Sequence, residues 1–191
     1  MGRLLAVCVV SRLHDDAGTV GTTAIDKQPV DGPVKVGKLG LYADVQADRK
    51  HHGGDDKAVY VYAAEDAAWW AGQLGRDIPP GLFGENLRVE GIDVNAVRVG
   101  ERWRIGNVVL EATVPRTPCM TFARWMGEES SGWVRRFSDA RRLGTYFRVV
   151  TPGKLRSGDA IEVIPAPVGA PTVLEIYRGV SDDGPAGRNE P

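Results

Sequence analysis

The sequence predicts a mostly β protein of the α+β class: a closed or nearly closed β-barrel of short strands, with about three short helices around it. Three observations carry this. Short runs of β-branched and aromatic residues recur along the chain (Leu4 to Val10, Ala58 to Tyr62, Val108 to Val114, Thr145 to Val150, Ala160 to Ile164), giving about eight or nine strands. The 24 glycines and 12 prolines fall largely between those runs, as strand-ending turns require. Helical periodicity is confined to three short stretches, and the pattern shows no regular strand–helix alternation, which disfavours a doubly wound sheet.

Composition narrows the function classes. A chain of 191 residues suits one domain, and 42% hydrophobic with 26% charged residues suffices for a real core. The formal net charge of −1 offers no global field for nucleic acid, so any basic site must be local. No apolar run approaches a membrane span, and neither nucleic acid nor membrane is expected as a partner. The run Leu4 to Val10 is too short for a signal peptide, lacks a small-residue cleavage site, and reads as the first strand. Two distant cysteines, Cys8 within that strand and Cys119 far downstream, suit reduced thiols in the cytoplasm.

Taken in order, the first strand is followed by a long Gly/Pro/Asp/Thr-rich loop with short strands over 14–38, in which His14 reads as a surface residue. A strand is expected over Gly40 to Val45 and another over Ala58 to Tyr62. Ala63 to Leu74 is an Ala-rich helix, with Glu65 and Asp66 in its first turn and Gly75 to end it. A Pro/Gly loop from Asp77 leads into a strand over Asn86 to Val89. Val97 to Gly100, Trp103 to Asn107 and Val108 to Val114 read as hairpin strands, with Gly106-Asn107 as a two-residue turn. Helices fit Met120 to Met126 and Trp133 to Arg142, broken at Ser130-Ser131-Gly132 and stopped by Gly144. Strands return over Thr145 to Val150 and Ala160 to Ile164. The domain is read as 1–165, followed by a linker and flexible tail over 166–191 with a helix start at Thr172.

Three loops carry the candidate chemistry. Pro115-Arg116-Thr117-Pro118-Cys119 ends a strand, because proline lacks a ladder N–H and fixes its φ. A thiol on that stiff turn, beside a guanidinium that favours the thiolate, is a candidate nucleophile or metal ligand; a half-buried strand-end cysteine is the bland alternative. Asp48-Arg49-Lys50-His51-His52-Gly53-Gly54-Asp55-Asp56-Lys57 is a charged loop holding two of the three histidines. Its glycine pair lets backbone N–H groups approach an anion, whereas a plain solvated loop would need neither feature. Adjacent histidines in extended backbone face opposite ways, so only one of His51 and His52 would meet a site. Gly84-Glu85-Asn86-Leu87 sets two polar side chains at a strand start, suited either to a heterocycle edge or to local turn bonds.

In this order and spacing the three loops, with Gly144-Thr145-Tyr146-Phe147-Arg148-Val149 and Gly158-Asp159, closely resemble the MOSC family, named for the C-terminal domain of molybdenum cofactor sulfurase. The resemblance runs from about Leu4 to Ile164 and is closest to stand-alone bacterial members. It implies a β-barrel that binds the molybdenum cofactor, a phosphate-bearing pterin dithiolene, with Cys119 as the protein ligand to molybdenum. For that subgroup it implies reduction of N-hydroxylated compounds such as 6-N-hydroxylaminopurine, a detoxification. Relatives often carry a C-terminal three-helix extension, which is expected to be missing or vestigial in the 26 residues that follow Pro165.

Under that resemblance the other loop residues take roles. Arg49, Lys50, Lys57 and Arg116, with the Gly53-Gly54 nest, are the candidates for the phosphate, and Gly84, Glu85 and Asn86 for the pterin edge. His51 or His52 would supply the proton that turns the leaving oxygen into water. Expected partners are a small N-hydroxylated substrate and a separate electron-donating reductase, since no flavin or nicotinamide fingerprint appears; a homodimer is admitted. The alternatives are sulfur transfer through a Cys119 persulfide, and a module that stores or delivers the cofactor. A zinc hydrolase using Cys119 and His51 lacks enough clear ligands.

Overall fold

The computed structural model describes residues 2–18, 20–45, 54–127 and 132–182. Along the chain run β1 (Gly2–Val10), β2 (His14–Asp16), β3 (Gly21–Thr23), β4 (Lys27–Pro29), β5 (Val34–Gly37), β6 (Gly40–Leu41), a 3-10 turn (Asp55–Lys57), β7 (Val59–Ala63), α1 (Ala64–Leu74), β8 (Leu87–Glu90), β9 (Arg102–Ile105), β10 (Val108–Pro115), α2 (Met120–Trp125), α3 (Gly132–Ala140), β11 (Thr145–Thr151), β12 (Gly153–Leu155), β13 (Ala160–Ile164) and α4 (Val173–Asp182).

Seven strands close a barrel in the order β13-β9-β10-β11-β7-β8-β1, and the β1–β13 pairing completes the ring. β4 extends the sheet beyond β1, β12-β5-β6 form a small sheet, and β2-β3 form a separate hairpin. The mostly β, α+β barrel expected from the pattern is therefore the observed fold. Three expectations about elements are corrected. β7 and β8 are parallel and joined through α1, so one β-α-β crossover exists; the irregular 75–86 connection masked it. The strand expected over Gly40 to Val45 ends at Leu41, because Ala43 adopts φ 67 and turns the chain. Val97 to Gly100 forms no strand of the barrel: the Val99 N–H donates to Pro171 O and the Val173 N–H to Val97 O, while the Gly100 N–H donates to Ala112 O of β10, all at 2.9 Å. The residues that follow Pro171 form α4, closed by a capping box in which Thr172 Oγ1 accepts from Glu175 N–H at 3.1 Å and Glu175 Oε2 accepts from Thr172 N–H at 2.7 Å.

Two hydrophobic clusters explain why strands and helices settle together. Leu4, Val7, Val59, Val61, Leu87, Trp103, Ile105, Leu110, Phe147 and Ile161 fill the barrel interior. Tyr60, Tyr62, Trp70, Phe83, Phe122, Trp133, Phe137 and Leu143 form a second, aromatic cluster under the helices. β7 separates the two. Its alternate residues Val59 and Val61 face one cluster and Tyr60 and Tyr62 the other, which is why the whole strand is buried. α3 contributes Trp133 and Phe137, four residues apart on one helix face, and Phe137 stacks on Trp70 of α1 with centroids 5.4 Å apart. Gly144 stops the chain after α3 at φ 72, where a Cβ would lie 2.6 Å from Val61 O; only glycine lets β11 start beside β7.

Candidate active site

The cysteine loop is built as its prolines predict. β10 pairs with β11 up to Pro115, with a register shift between Ala112 and Val114 that re-aims the strand end. Cys119 then stands at the start of α2 in extended backbone (φ −137, ψ 171), half-buried against the aromatic cluster. Arg116 is buried, 6% exposed. Its guanidinium carbon lies 3.7 Å from the Phe122 ring centroid, 5.4 Å from that of Tyr60 and 5.6 Å from that of Phe137. Its Nη1 is buried with no hydrogen-bond partner among the described residues. Cation–π contact offsets part of that burial, about 2 kcal/mol. Burying a cation with no anion facing it costs several kcal/mol, about the scale of a broken buried ion pair, and no carboxylate among the described residues pairs with Arg116.

Arg116 and Cys119 border one open cleft of roughly 840 Å³, its mouth included. Its other walls are set by long-range folding: Val20, Thr22 and Thr23 on the hairpin side, Lys27 and Asp44 at the floor, and Lys57, Tyr60, Asn86 and Tyr146 across from them. Tyr60 and Tyr146 pack with centroids 5.0 Å apart. Burial pushes both phenols above their ordinary value, so they stay protonated at neutral pH. Asp44 ties the floor together. Its Oδ1 accepts from Val10 N–H at 3.0 Å, and its Oδ2 accepts from Lys27 Nζ at 2.6 Å and Asn86 Nδ2 at 2.7 Å.

The residues singled out from sequence divide into four groups. Cys119, Arg116, Lys57, Gly84 and Asn86 all line this cavity. Asn86 reaches it with most of its amide engaged inside the protein: Nδ2 donates to Asp44 and to Cys8 O, and Oδ1 accepts from Tyr60 N–H at 3.0 Å. Glu85 does not face the cavity, which corrects the expectation of a ligand-facing carboxylate. It is fully buried; Oε1 accepts from the Arg88 guanidinium and Oε2 from Phe83 N–H at 3.1 Å. Gly54 is exposed, at φ 103 just before the 3-10 turn, and is not part of the cavity wall. Arg49, Lys50, His51, His52 and Gly53 lie outside the described residues; Val45 before them and Lys57 after them both line the cavity.

The sequence reading passed over Lys27, Asp44, Tyr60, Tyr146 and the hairpin threonines. Lys27 and Asp44 are 17 residues apart with no local pattern linking them. Tyr60 carries a signal, sharing its strand face with Tyr62, and it pairs with Tyr146 across β7 and β11; Tyr146 carries none, since its same-parity neighbours Arg148 and Val150 are exposed. Cys8 is sealed in the barrel wall as expected, its thiol pushed up to about 12 by burial. Among the described residues no three His, Cys, Asp or Glu side chains converge to hold a metal, and no helix is long and apolar enough to cross a membrane.

The MOSC domain profile matches residues 48–162, which include the charged loop, the Gly-Glu-Asn loop and Cys119. YflK of Bacillus subtilis (strain 168) is 34% identical over 142 residues, 74% of this chain and 63% of its own length. YiiM of Escherichia coli (strain K12) is 30% identical over 146 residues, 74% of this chain and 64% of its own. The chain thus spans just under two thirds of these relatives. A protein of Gibberella moniliformis named a reductase is 30% identical over 166 residues, 82% of this chain but 28% of its own. Among solved structures, YiiM from Geobacillus stearothermophilus superposes with TM-score 0.75 at 26% identity, over 93% of this chain and 83% of that one. YiiM from Escherichia coli shares the fold at TM-score 0.68 and 23% identity, over 92% and 75%.

Proposed function

Because the chain belongs to the MOSC domain family, we propose that it is a molybdenum-cofactor-dependent reductase of N-hydroxylated compounds, 6-N-hydroxylaminopurine among them, with Cys119 as the protein ligand to molybdenum. The observation that carries the reading is the pairing, on one cavity, of a half-exposed thiol with a buried guanidinium whose Nη1 has no partner among the described residues. A relative named a reductase supports the reductive direction.

The residues present suit the group. A thiolate is a soft donor of the kind such a metal takes. Arg116 brings a full positive charge to the cavity wall, Lys57 stands on the same wall, and Lys27 does so paired with Asp44. When bound, the cofactor supplies the two-electron cleavage of the N–O bond, chemistry no side chain offers. The protein's own part is binding, orientation and proton supply. Cleavage consumes two electrons and two protons, giving the amine and water, and His51 or His52 is our candidate for the proton that leaves with the oxygen. Arg49 and Gly53 are proposed to complete the anion cradle with Arg116. Electrons come from a separate reductase.

The test is turnover. Protein purified from a molybdate-fed host is mixed with 6-N-hydroxylaminopurine and a chemical reductant, and adenine formation is followed. Steady turnover supports the reading. Bound cofactor without turnover favours a delivery module, and labile sulfane sulfur on Cys119 without molybdenum favours sulfur transfer.

A further inference from the structure

The β2–β3 hairpin stands apart from the barrel: its strands pair only with each other, His14 opposite Thr23 and Asp16 opposite Gly21. What fixes it is a clasp to α2. Arg124 Nε donates to Asp16 Oδ1 at 2.7 Å, Arg124 Nη2 donates to Asp16 Oδ2 at 2.7 Å, and Thr121 Oγ1 donates to the same Oδ2 at 3.0 Å. This is a two-pronged guanidinium–carboxylate pair, the geometry that adds direction to charge. The Asp16 side chain is only 4% exposed and that of Arg124 28%, so the pair is shielded from solvent rather than a floppy surface contact. Gly18, beyond Asp16, lies so close that a Cβ there would come 2.4 Å from Arg124 Nη2.

The two ends of this clasp border the same space. On the hairpin side Val20, Thr22 and Thr23 line the Cys119 cavity; on the α2 side so do Thr121 and Cys119 itself, the residue from which the helix starts. The ion pair therefore ties the hairpin side of the cavity to the very element that presents the thiol. The hairpin is also held by His14, whose Nε2 lies 2.7 Å from Asp26 Oδ2 and whose ring meets Trp125 of α2 with centroids 5.3 Å apart; the Asp16–Arg124 pair adds the two-pronged contact that fixes its direction against α2.

We propose that the β2–β3 hairpin is the size-selecting wall of the Cys119 cavity, and that Asp16 and Arg124 are positioning residues that hold it at a fixed spacing. The wall is mixed, two hydroxyls beside Val20 and Ile25, and suits a flat heteroaromatic edge over a charged or bulky substituent. As a statement about substrates this rests on the reductase reading; as a statement about access to the thiol it does not.

The experiment uses cofactor-free full-length protein and two thiol reagents, methyl methanethiosulfonate and fluorescein-5-maleimide, with glutathione as the free-thiol reference. In the wild type the bulky reagent should lag the small one by at least about tenfold beyond the glutathione ratio. Asp16→Asn and Arg124→Gln should each speed the bulky reagent about tenfold and the small one less than about twofold, and the exchanged pair Asp16→Arg/Arg124→Asp should restore slow bulky labelling. A wild-type ratio equal to that of glutathione, or equal acceleration of both reagents in the single variants, overturns the proposal. Should the pair variants not fold, Thr22→Trp leaves the clasp intact and narrows the wall: slower bulky labelling supports the proposal and an unchanged rate overturns it. With loaded enzyme, the pair variants should lower KM for a bulky N-hydroxylated substrate and leave kcat on a small one in place. If no turnover is found at all, the reductase reading fails while the labelling result stands.

Discussion

Arg116 packs over Phe122, its guanidinium carbon 3.7 Å from the ring centroid, with its Nη1 buried and without a hydrogen-bond partner among the described residues. An arrangement of that kind stores cost in the ligand-free protein and returns it when an anion enters. Arg116→Met, similar in length and apolar, should therefore stabilise the ligand-free protein by about 1–4 kcal/mol, the range seen when buried charge is replaced by packing. In the wild type, millimolar pyrophosphate should raise the melting temperature, and the same variant should lose that rise. Thermal unfolding with and without pyrophosphate checks both halves together.

The Glu85–Arg88 pair predicts the opposite response. Glu85 is 0% exposed and Arg88 4%, and the Arg88 guanidinium also donates to Ile78 O and Pro79 O at 3.2 Å. Glu85→Ala strands a buried guanidinium and should cost about 3–5 kcal/mol in urea unfolding. The double variant Glu85→Met/Arg88→Met should recover most of that loss, since it leaves no charge behind. Recovery would identify the pair as scaffold behind the cavity, with no ligand role for Glu85.

Cys8 gives a pH dependence with a definite sign. Its thiol is pushed from 9.0 to about 12 by burial, so the folded protein keeps the proton where the unfolded chain loses it. Above pH 9 the unfolded state binds fewer protons, and stability falls as pH rises, by about 1.4 kcal/mol per pH unit until the folded value is reached. Cys8→Ala removes that slope. Urea titrations at pH 8 and pH 10 should show the wild type losing about 1.4 kcal/mol more than the variant across the interval. In native protein at pH 8, alkylation should stop at one thiol, Cys119.

Much of this was legible in the residues themselves, and the reason is range. Pro115 and Pro118 announce a strand end and a rigid loop by local rules, and Gly75 and the Gly106-Asn107 turn stop α1 and join β9 to β10 as their conformational preferences dictate. The parallel β7–β8 pairing was hidden because the connection through α1 ends in an irregular Pro/Gly loop. The Lys27–Asp44–Asn86 floor was hidden because its members meet only after the barrel closes. Glu85 misled for a different reason. A carboxylate at a strand start reads as ligand-facing, and its partner three residues on, Arg88, is a spacing at which strand side chains normally face apart. The clasp between Asp16 and Arg124 spans 108 residues and leaves no trace in either neighbourhood.

The most direct test of the account is the molybdenum content and turnover of wild type and Cys119→Ser, both purified from a molybdate-fed host. The account predicts close to one molybdenum per wild-type chain with reduction of 6-N-hydroxylaminopurine, and no turnover in the serine variant. Undiminished turnover in the variant, with its molybdenum retained, contradicts it.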